Sequence, residues 1–270
     1  AKDGTKMSKS LGNGVEGVEA LEKWGADRTR YYLLTKAVPE NQINFDAEEF
    51  SNVEGFFNTL ENLTKFMNSY LKEHKFEEKT TKLDFNNLDV EDLWILYRLN
   101  KTIISYERNF ENYRINLASR DIEDFILRDL SKTYLKLVKE RTEERDENLL
   151  LIFSEILKKM LILIAPQVPF KAEELYLSLD ISSKKESIFL EEMPIVNTAL
   201  IKQVDTLKID ENFELASNII AAVLNSREKI KTGVRWPLSQ IDILSAEDLS
   251  LKLKPFENLI KKLSNIVSIN

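Results

Sequence analysis

Cysteine is absent from the chain, and histidine occurs once, as His74. A disulfide and a thiolate metal site are therefore excluded, a lone imidazole cannot build a histidine-based one, and no metal site is expected. Glycine is scarce and uneven: Gly4, Gly12, Gly14, Gly17 and Gly25 fall in the first 25 residues, leaving only Gly55 and Gly233. Close approach of backbone to a ligand is thus concentrated at the N-terminal end. The densest apolar run, Leu149 to Ile164, carries Ser154, Glu155, Lys158 and Lys159 at helical spacing. It falls short of the about 20 residues needed to span a bilayer, so it reads as a buried helix with no membrane partner. Positive charge is also in deficit, 38 Lys and Arg against 45 Asp and Glu, for a net charge of −7. That excludes a polyanion binder relying on overall charge, so any nucleic-acid contact must come from a local basic face. The chain has no charged-then-apolar leader and opens in mid-motif without an initiator methionine. A piece of a longer chain is expected, with a composition that fits a reducing cytoplasm.

What is present is enough to fold. Hydrophobic residues make up 43% and charged residues 31% of 270 positions, room for one large domain or two to three small ones. Short helices are expected at Val15 to Trp24 and Asp27 to Thr35, the second capped by Asp27, then a turn at Pro39 and Asn41 and a strand from Gln42 to Phe45. Asp46 with Glu49 is a cap-like start, and Phe50, Val53, Phe56, Phe57, Leu60, Leu63, Phe66, Met67 and Tyr70 follow at helical spacing. After a polar loop from Lys72 to Asn87, helices are predicted at Val90 to Phe110, Ile115 to Arg145 and Glu147 to Ile164, the last stopped by Pro166 and Pro169. Four such helices make a bundle. Beyond a linker-like stretch with a strand at Ile188 to Leu190, a helix is expected from Glu211 to Lys231, ended by Gly233. Strands at Gln240 to Leu244 and Ile266 to Ile269 flank a short helix at Pro255 to Leu263.

The sharpest local feature is Lys6-Met7-Ser8-Lys9-Ser10, followed by Leu11-Gly12-Asn13. Two lysines three apart on a glycine-flanked loop can hold two ammonium groups against adjacent phosphates, with Ser8 and Ser10 as hydroxyl donors. The order of a Walker loop is missing. On composition alone, a lysine and serine cluster of this kind is ordinarily a solvated turn.

The string matches, letter for letter, the second signature of class I aminoacyl-tRNA synthetases, and the chain resembles the isoleucine, valine and leucine group of that family. Asp3-Gly4 precedes the signature as the family expects. Lys23-Trp24-Gly25-Ala26-Asp27 with Arg30-Tyr31-Tyr32 resembles the segment that follows it. Phe56-Phe57-Asn58-Thr59-Leu60 with Asn62, then Asp92-Leu93-Trp94-Ile95-Leu96 with Arg98-Leu99-Asn100, are similar to the first and second bundle helices. Asn112-Tyr113, Ile122-Glu123-Asp124-Phe125, Asp129-Leu130-Ser131 and Tyr134 are similar to the third. Arg235-Trp236-Pro237-Leu238, entered from Arg227-Glu228-Lys229, is closer to the isoleucine enzymes of archaeal and eukaryotic type. One departure is Thr133, where the family usually has tryptophan; any stacking on RNA by that aromatic is absent here.

The resemblance implies a mainly α fold: residues 1–46 as the end of a Rossmann-type catalytic domain, 47–180 as a helical anticodon-binding bundle, and 181–270 as a linker helix with a small α/β domain. It implies a ligase that activates isoleucine with ATP, accompanied by Mg²⁺, and transfers it to tRNA. The expected protein is cytoplasmic and monomeric, and the other readings are a valine or leucine enzyme or a non-catalytic tRNA-binding module. Lys9 would contact the ATP phosphates in the transition state with Lys6 assisting, and Met7, Ser8 and Ser10 would complete the ATP-binding loop. The first class I signature, a His-Ile-Gly-His type string, is absent, so this piece by itself is expected to make no aminoacyl-adenylate.

Two further groups are candidates for tRNA. Ile122, Ile126, Leu130, Tyr134 and Leu137 form an apolar stripe, and Arg128, Lys132, Lys136 and Lys139 a basic one about half a turn away, since two residues correspond to roughly 200°. A basic stripe is ordinarily a solvated face; the alternative is contact with anticodon-stem phosphates. Arg235 and Trp236 offer a guanidinium and a stacking plane to an unpaired base. Against that stands the reading of Trp236 as packed under the tail, which weighs slightly more.

Overall fold

The computed structural model describes residues 5–7, 14–36, 43, 45–77 and 83–270. The described chain is mainly helical with one two-stranded sheet, and it divides into two compact units, Ala1–Leu83 with Arg98–Val196 and Asp84–Tyr97 with Asn197–Asn270.

The first unit begins with α1 (Gly17–Trp24) and α2 (Ala26–Lys36), separated by Gly25, whose φ of 82° is a conformation that favours glycine. Asp27 lies inside the first turn of α2 and is not its cap. Its carboxylate accepts from the Lys171 amide at 2.7 Å and pairs with Arg30, so it caps α8 (Pro169–Ser178), which has no cap of its own. Asp46 does accept from the Glu48 amide, and α3 (Phe50–Glu73) follows a short 3₁₀ turn. The aromatic residues of this region stack: Trp24 on Phe50 at 4.0 Å, Tyr32 on Phe50 at 4.5 Å and Tyr31 on Phe56 at 4.9 Å. Phe66, expected in the core, is 45% exposed. The turn at Pro39 and Asn41 lies outside the described residues; of the strand expected from Gln42, the described Ile43 and Phe45 are not in one.

α7 (Glu147–Ile164) starts where Asp146 accepts from the Leu149 amide, and it packs along α3 with Leu149, Leu150, Phe153, Ile156, Leu157 and Met160 fully buried. The rest of this unit's bundle is the Arg98–Glu111 part of α4 (Val90–Glu111), then α5 (Ile115–Asp124), a π-helix (Phe125–Tyr134) and α6 (Leu135–Leu137). The helix expected to run on to Arg145 therefore stops earlier, giving way to a 3₁₀ turn at Lys139–Glu143. Pro169 opens α8 as well as ending what precedes it, since proline is preorganised for the first helical turn. Ile188–Leu190 is a 3₁₀ turn and not a strand.

The second unit takes the first turns of α4, then α9 (Thr198–Leu207) and α10 (Ile209–Lys229), joined at Lys208 with φ 51°. Trp94 lies flat on Phe213 at 3.9 Å and donates to Asp210, while Tyr97 donates to Asp205. Beyond α10, β1 (Leu238–Ile241) and β2 (Ile266–Ile269) pair in parallel, Leu238 opposite Ile266. The parallel pairing needs a crossover, supplied by α11 (Ser250–Leu253) and α12 (Glu257–Ser264). Gly233 does not end α10: the left-handed residue after it is Lys231, φ 54°.

Candidate nucleic-acid interface

Of the signature string, Lys6 and Met7 are described, Lys6 exposed and Met7 half-buried. Ser8, Lys9 and Ser10 lie outside the described residues, as do Asp3-Gly4 and Leu11-Gly12-Asn13. Among the described residues, no cluster of three His, Cys, Asp or Glu could hold a metal ion.

The basic stripe is placed by the π-helix. Residues four apart advance about 40° on an α-helix of about 3.6 residues per turn, so a strict spacing of four soon leaves the core. The wider i→i+5 turn holds more residues, and the same spacing falls back. An α segment followed by a π segment therefore keeps Ile122, Ile126, Leu130, Tyr134 and Val138 on one buried face, all of them fully buried. Val138 takes the place expected of Leu137, which is only half-buried. The same geometry keeps Arg128, Lys132, Lys136 and Lys139 together in solvent.

Arg128 also pairs with exposed Asp124 one turn back at 3.1 Å, an exposed contact of small worth that leaves its side chain 74% accessible. Next to it, Asp129 takes Arg98 of α4 at 2.8 Å, so one charged residue of this segment is spent on packing while its neighbours face water. Thr133 donates to the carbonyl of Arg128, five residues back, and so satisfies the π-helical ladder locally.

Below the stripe's N-terminal end, Tyr31 donates to Glu123 at 2.8 Å. Burial, and then the adjoining Glu123 charge, push the Tyr31 hydroxyl far up. Burial also raises the Glu123 carboxyl, against the hydrogen bond from Tyr31. The pair is a packing contact between α2 and α5; neither group has a reacting partner.

In the second unit, Arg235 is exposed and Trp236 is 71% exposed, so Trp236 does not pack under the tail. Residue reading missed what holds them there. Arg227, 2% exposed, donates to the carbonyls of Ser264 at 3.0 Å, Gly233 at 3.3 Å, Trp236 at 2.9 Å and Asn265 at 2.7 Å. The sequence signal was an arginine at the end of an apolar helix, indistinguishable there from a surface charge. Also missed was Tyr113, 83% exposed with φ 57° in the turn between α4 and α5, a costly conformation for a bulky side chain.

The family profile "Anticodon-binding domain of tRNA ligase" matches residues 92–243, and that of "tRNA synthetases class I (M)" matches residues 1–67. The isoleucine–tRNA ligase of Methanocaldococcus jannaschii is 33% identical over 98% of this chain and 25% of its own length. That of Methanothermobacter thermautotrophicus is 30% identical over 99% of this chain and 26% of its own length. A solved LeuRS–tRNA–LeuAMS ternary complex from Agrobacterium radiobacter superimposes with a TM-score of 0.58 at 22% identity, covering 74% of this chain and 23% of that one, a likeness of fold alone. The chain thus spans about a quarter of the length of the curated relatives it matches.

Proposed function

The chain belongs to the family of tRNA-ligase anticodon-binding domains, and from that premise we propose that it is the signature-loop and anticodon-binding portion of an isoleucine–tRNA ligase. The parent joins isoleucine to ATP, releasing pyrophosphate, and transfers the activated amino acid to tRNA. Supporting the amino-acid assignment, isoleucine–tRNA ligases align along 98–99% of this chain at 30–33% identity.

In this reading residues 1–46 close the catalytic domain, 47–180 form the anticodon-binding bundle and 181–270 the linker helix and α/β tail. Lys9 and Lys6 stabilise negative charge developing on the ATP phosphates, with Met7, Ser8 and Ser10 completing the loop. Mg²⁺ travels with ATP, and no side chain described here is assigned to it. The chain alone carries no His-Ile-Gly-His string and does not activate isoleucine. It acts as one copy in the cytoplasm, and among the described residues no helix is long and apolar enough to cross a membrane.

The observation that carries tRNA binding is the outward row Arg128, Lys132, Lys136 and Lys139, held in register by a helix whose opposite face is wholly buried. These side chains meet phosphates of the anticodon stem, while Arg235 and Trp236 meet an unpaired nucleotide. The test is to replace the four stripe residues with glutamine and titrate tRNA at several salt concentrations. Removing one phosphate-binding charge lowers the slope of log K against log salt by about 0.9. A variant that keeps both affinity and slope would reduce the stripe to a solvated face.

A further inference from the structure

We propose that Arg227 is a positioning residue, holding from below a rigid turn on which Trp236 forms a stacking platform for one unpaired nucleobase. The inference rests on the RNA-binding reading above and adds to it the residue that builds the contact.

The turn is Gly233-Val234-Arg235-Trp236, closed by the Trp236 amide donating to the Gly233 carbonyl at 3.1 Å. Arg227 Nη1 donates to the first and the last carbonyl of that turn, Gly233 and Trp236. Asn265, left-handed at φ 47° after α12, donates through its side chain to the Val234 carbonyl at 2.7 Å. Three of the four carbonyls of the turn are therefore held from the protein side. The same Arg227 reaches Ser264 and Asn265, so one guanidinium joins the end of α10, the end of α12 and the turn. Pro237 restrains the backbone that follows, because the residue before a proline is confined to extended conformations.

An exposed indole is ordinarily mobile, and stacking a base on it costs the entropy of fixing it. Here the backbone beneath is fixed in advance, and Trp236 turns 71% of its surface to solvent beside the exposed Arg235. All four acceptors of Arg227 are neutral carbonyls, so its positive charge is not cancelled by a carboxylate among them. Exposed Lys229 and Lys231 lie in the same segment. A flat apolar ring over a positive base suits a nucleotide, a base for the ring and a phosphate for the cations.

The full chain is titrated with a labelled isoleucine tRNA transcript as wild type, Trp236→Ala, Trp236→Phe, Arg227→Met and the Trp236→Ala, Arg227→Met double variant. Trp236→Ala weakens binding about five- to a hundredfold, the range of one stacked base, and Trp236→Phe retains most of it. RNA quenches tryptophan emission in the wild type but much less in Trp236→Phe. Arg227→Met weakens binding on its own and adds little once Trp236 is alanine, because both act through one contact. If Arg227→Met disorders the tail, Asn265→Gly serves instead, since it keeps a left-handed residue and deletes only the hold on Val234. Wild-type binding with Trp236→Ala unchanged overturns the platform and leaves the RNA reading standing; additive losses overturn the role of Arg227. A transcript that does not bind the wild type overturns the RNA reading and the platform with it.

Discussion

The first unit is held by carbon packed on carbon, the end of the second by a cation among carbonyls. In the first, α7 is buried almost all round, and the rings of Tyr31, Tyr32, Phe50 and Phe56 stack on one another where α2 meets α3. In the second, the sheet has two strands of four residues, and Leu244, Leu251 and Val267 remain in solvent. Apolar burial there is too thin to hold a turn in one conformation, and Arg227 supplies direction that burial cannot. A core of this kind tolerates gradual loss; a buried guanidinium, once removed, leaves several carbonyls unsatisfied together.

Sharpening that contrast begins with the largest effect. Phe153→Ala, in the centre of α7 and edge-on to Tyr70, is expected to cost about 3–5 kcal/mol in urea unfolding, typical of a fully buried phenylalanine. Arg227→Met is expected to act locally, with rapid amide exchange at Leu238–Ile241 and Ile266–Ile269 while α7 keeps its protection. Loss of protection throughout both units would break the contrast. Asp27→Ala removes the cap that α2 lends to α8 and should cost about 1 kcal/mol.

Two smaller effects depend on pH. Burial alone would raise the Asp146 carboxyl, but the Arg141 guanidinium and the amides of Leu149 and Asn148 hold it below the usual carboxylate range. Its stabilising contribution is present above its unfolded pKa and is lost as pH falls through the lowered folded one, so acid unfolding should be blunted in Asp146→Asn. Glu123 has the opposite sign, since burial raises it. The fold favours its protonated form, and that preference is lost as pH rises through the raised folded value. Glu123→Gln should therefore raise the melting temperature at pH 7 and leave it unchanged at pH 4.

Much of the first unit was legible in sequence because its helices obey one period over long spans: α7 was read to the residue, and α4 to within one. The π-helix was not legible, since the spacing of four in Ile122, Ile126, Leu130 and Tyr134 fits an α pattern until Val138 replaces Leu137 in the core. α8 and α9 were missed because proline and short polar stretches hid them, and a proline that ends one helix also begins another. At the candidate interface the exposed stripe was legible from charge spacing. Arg227 was not, because its partners are carbonyls at Gly233, Trp236, Ser264 and Asn265, and a backbone acceptor leaves no mark in the sequence.

The most direct test of tRNA recognition is a fluorescence-anisotropy titration of the chain with unmodified isoleucine, valine and leucine tRNA transcripts at two salt concentrations. The account predicts tightest binding to the isoleucine transcript, weakening as salt rises because the stripe displaces counterions from phosphates. Equal binding to all three, or none at either salt, would contradict it.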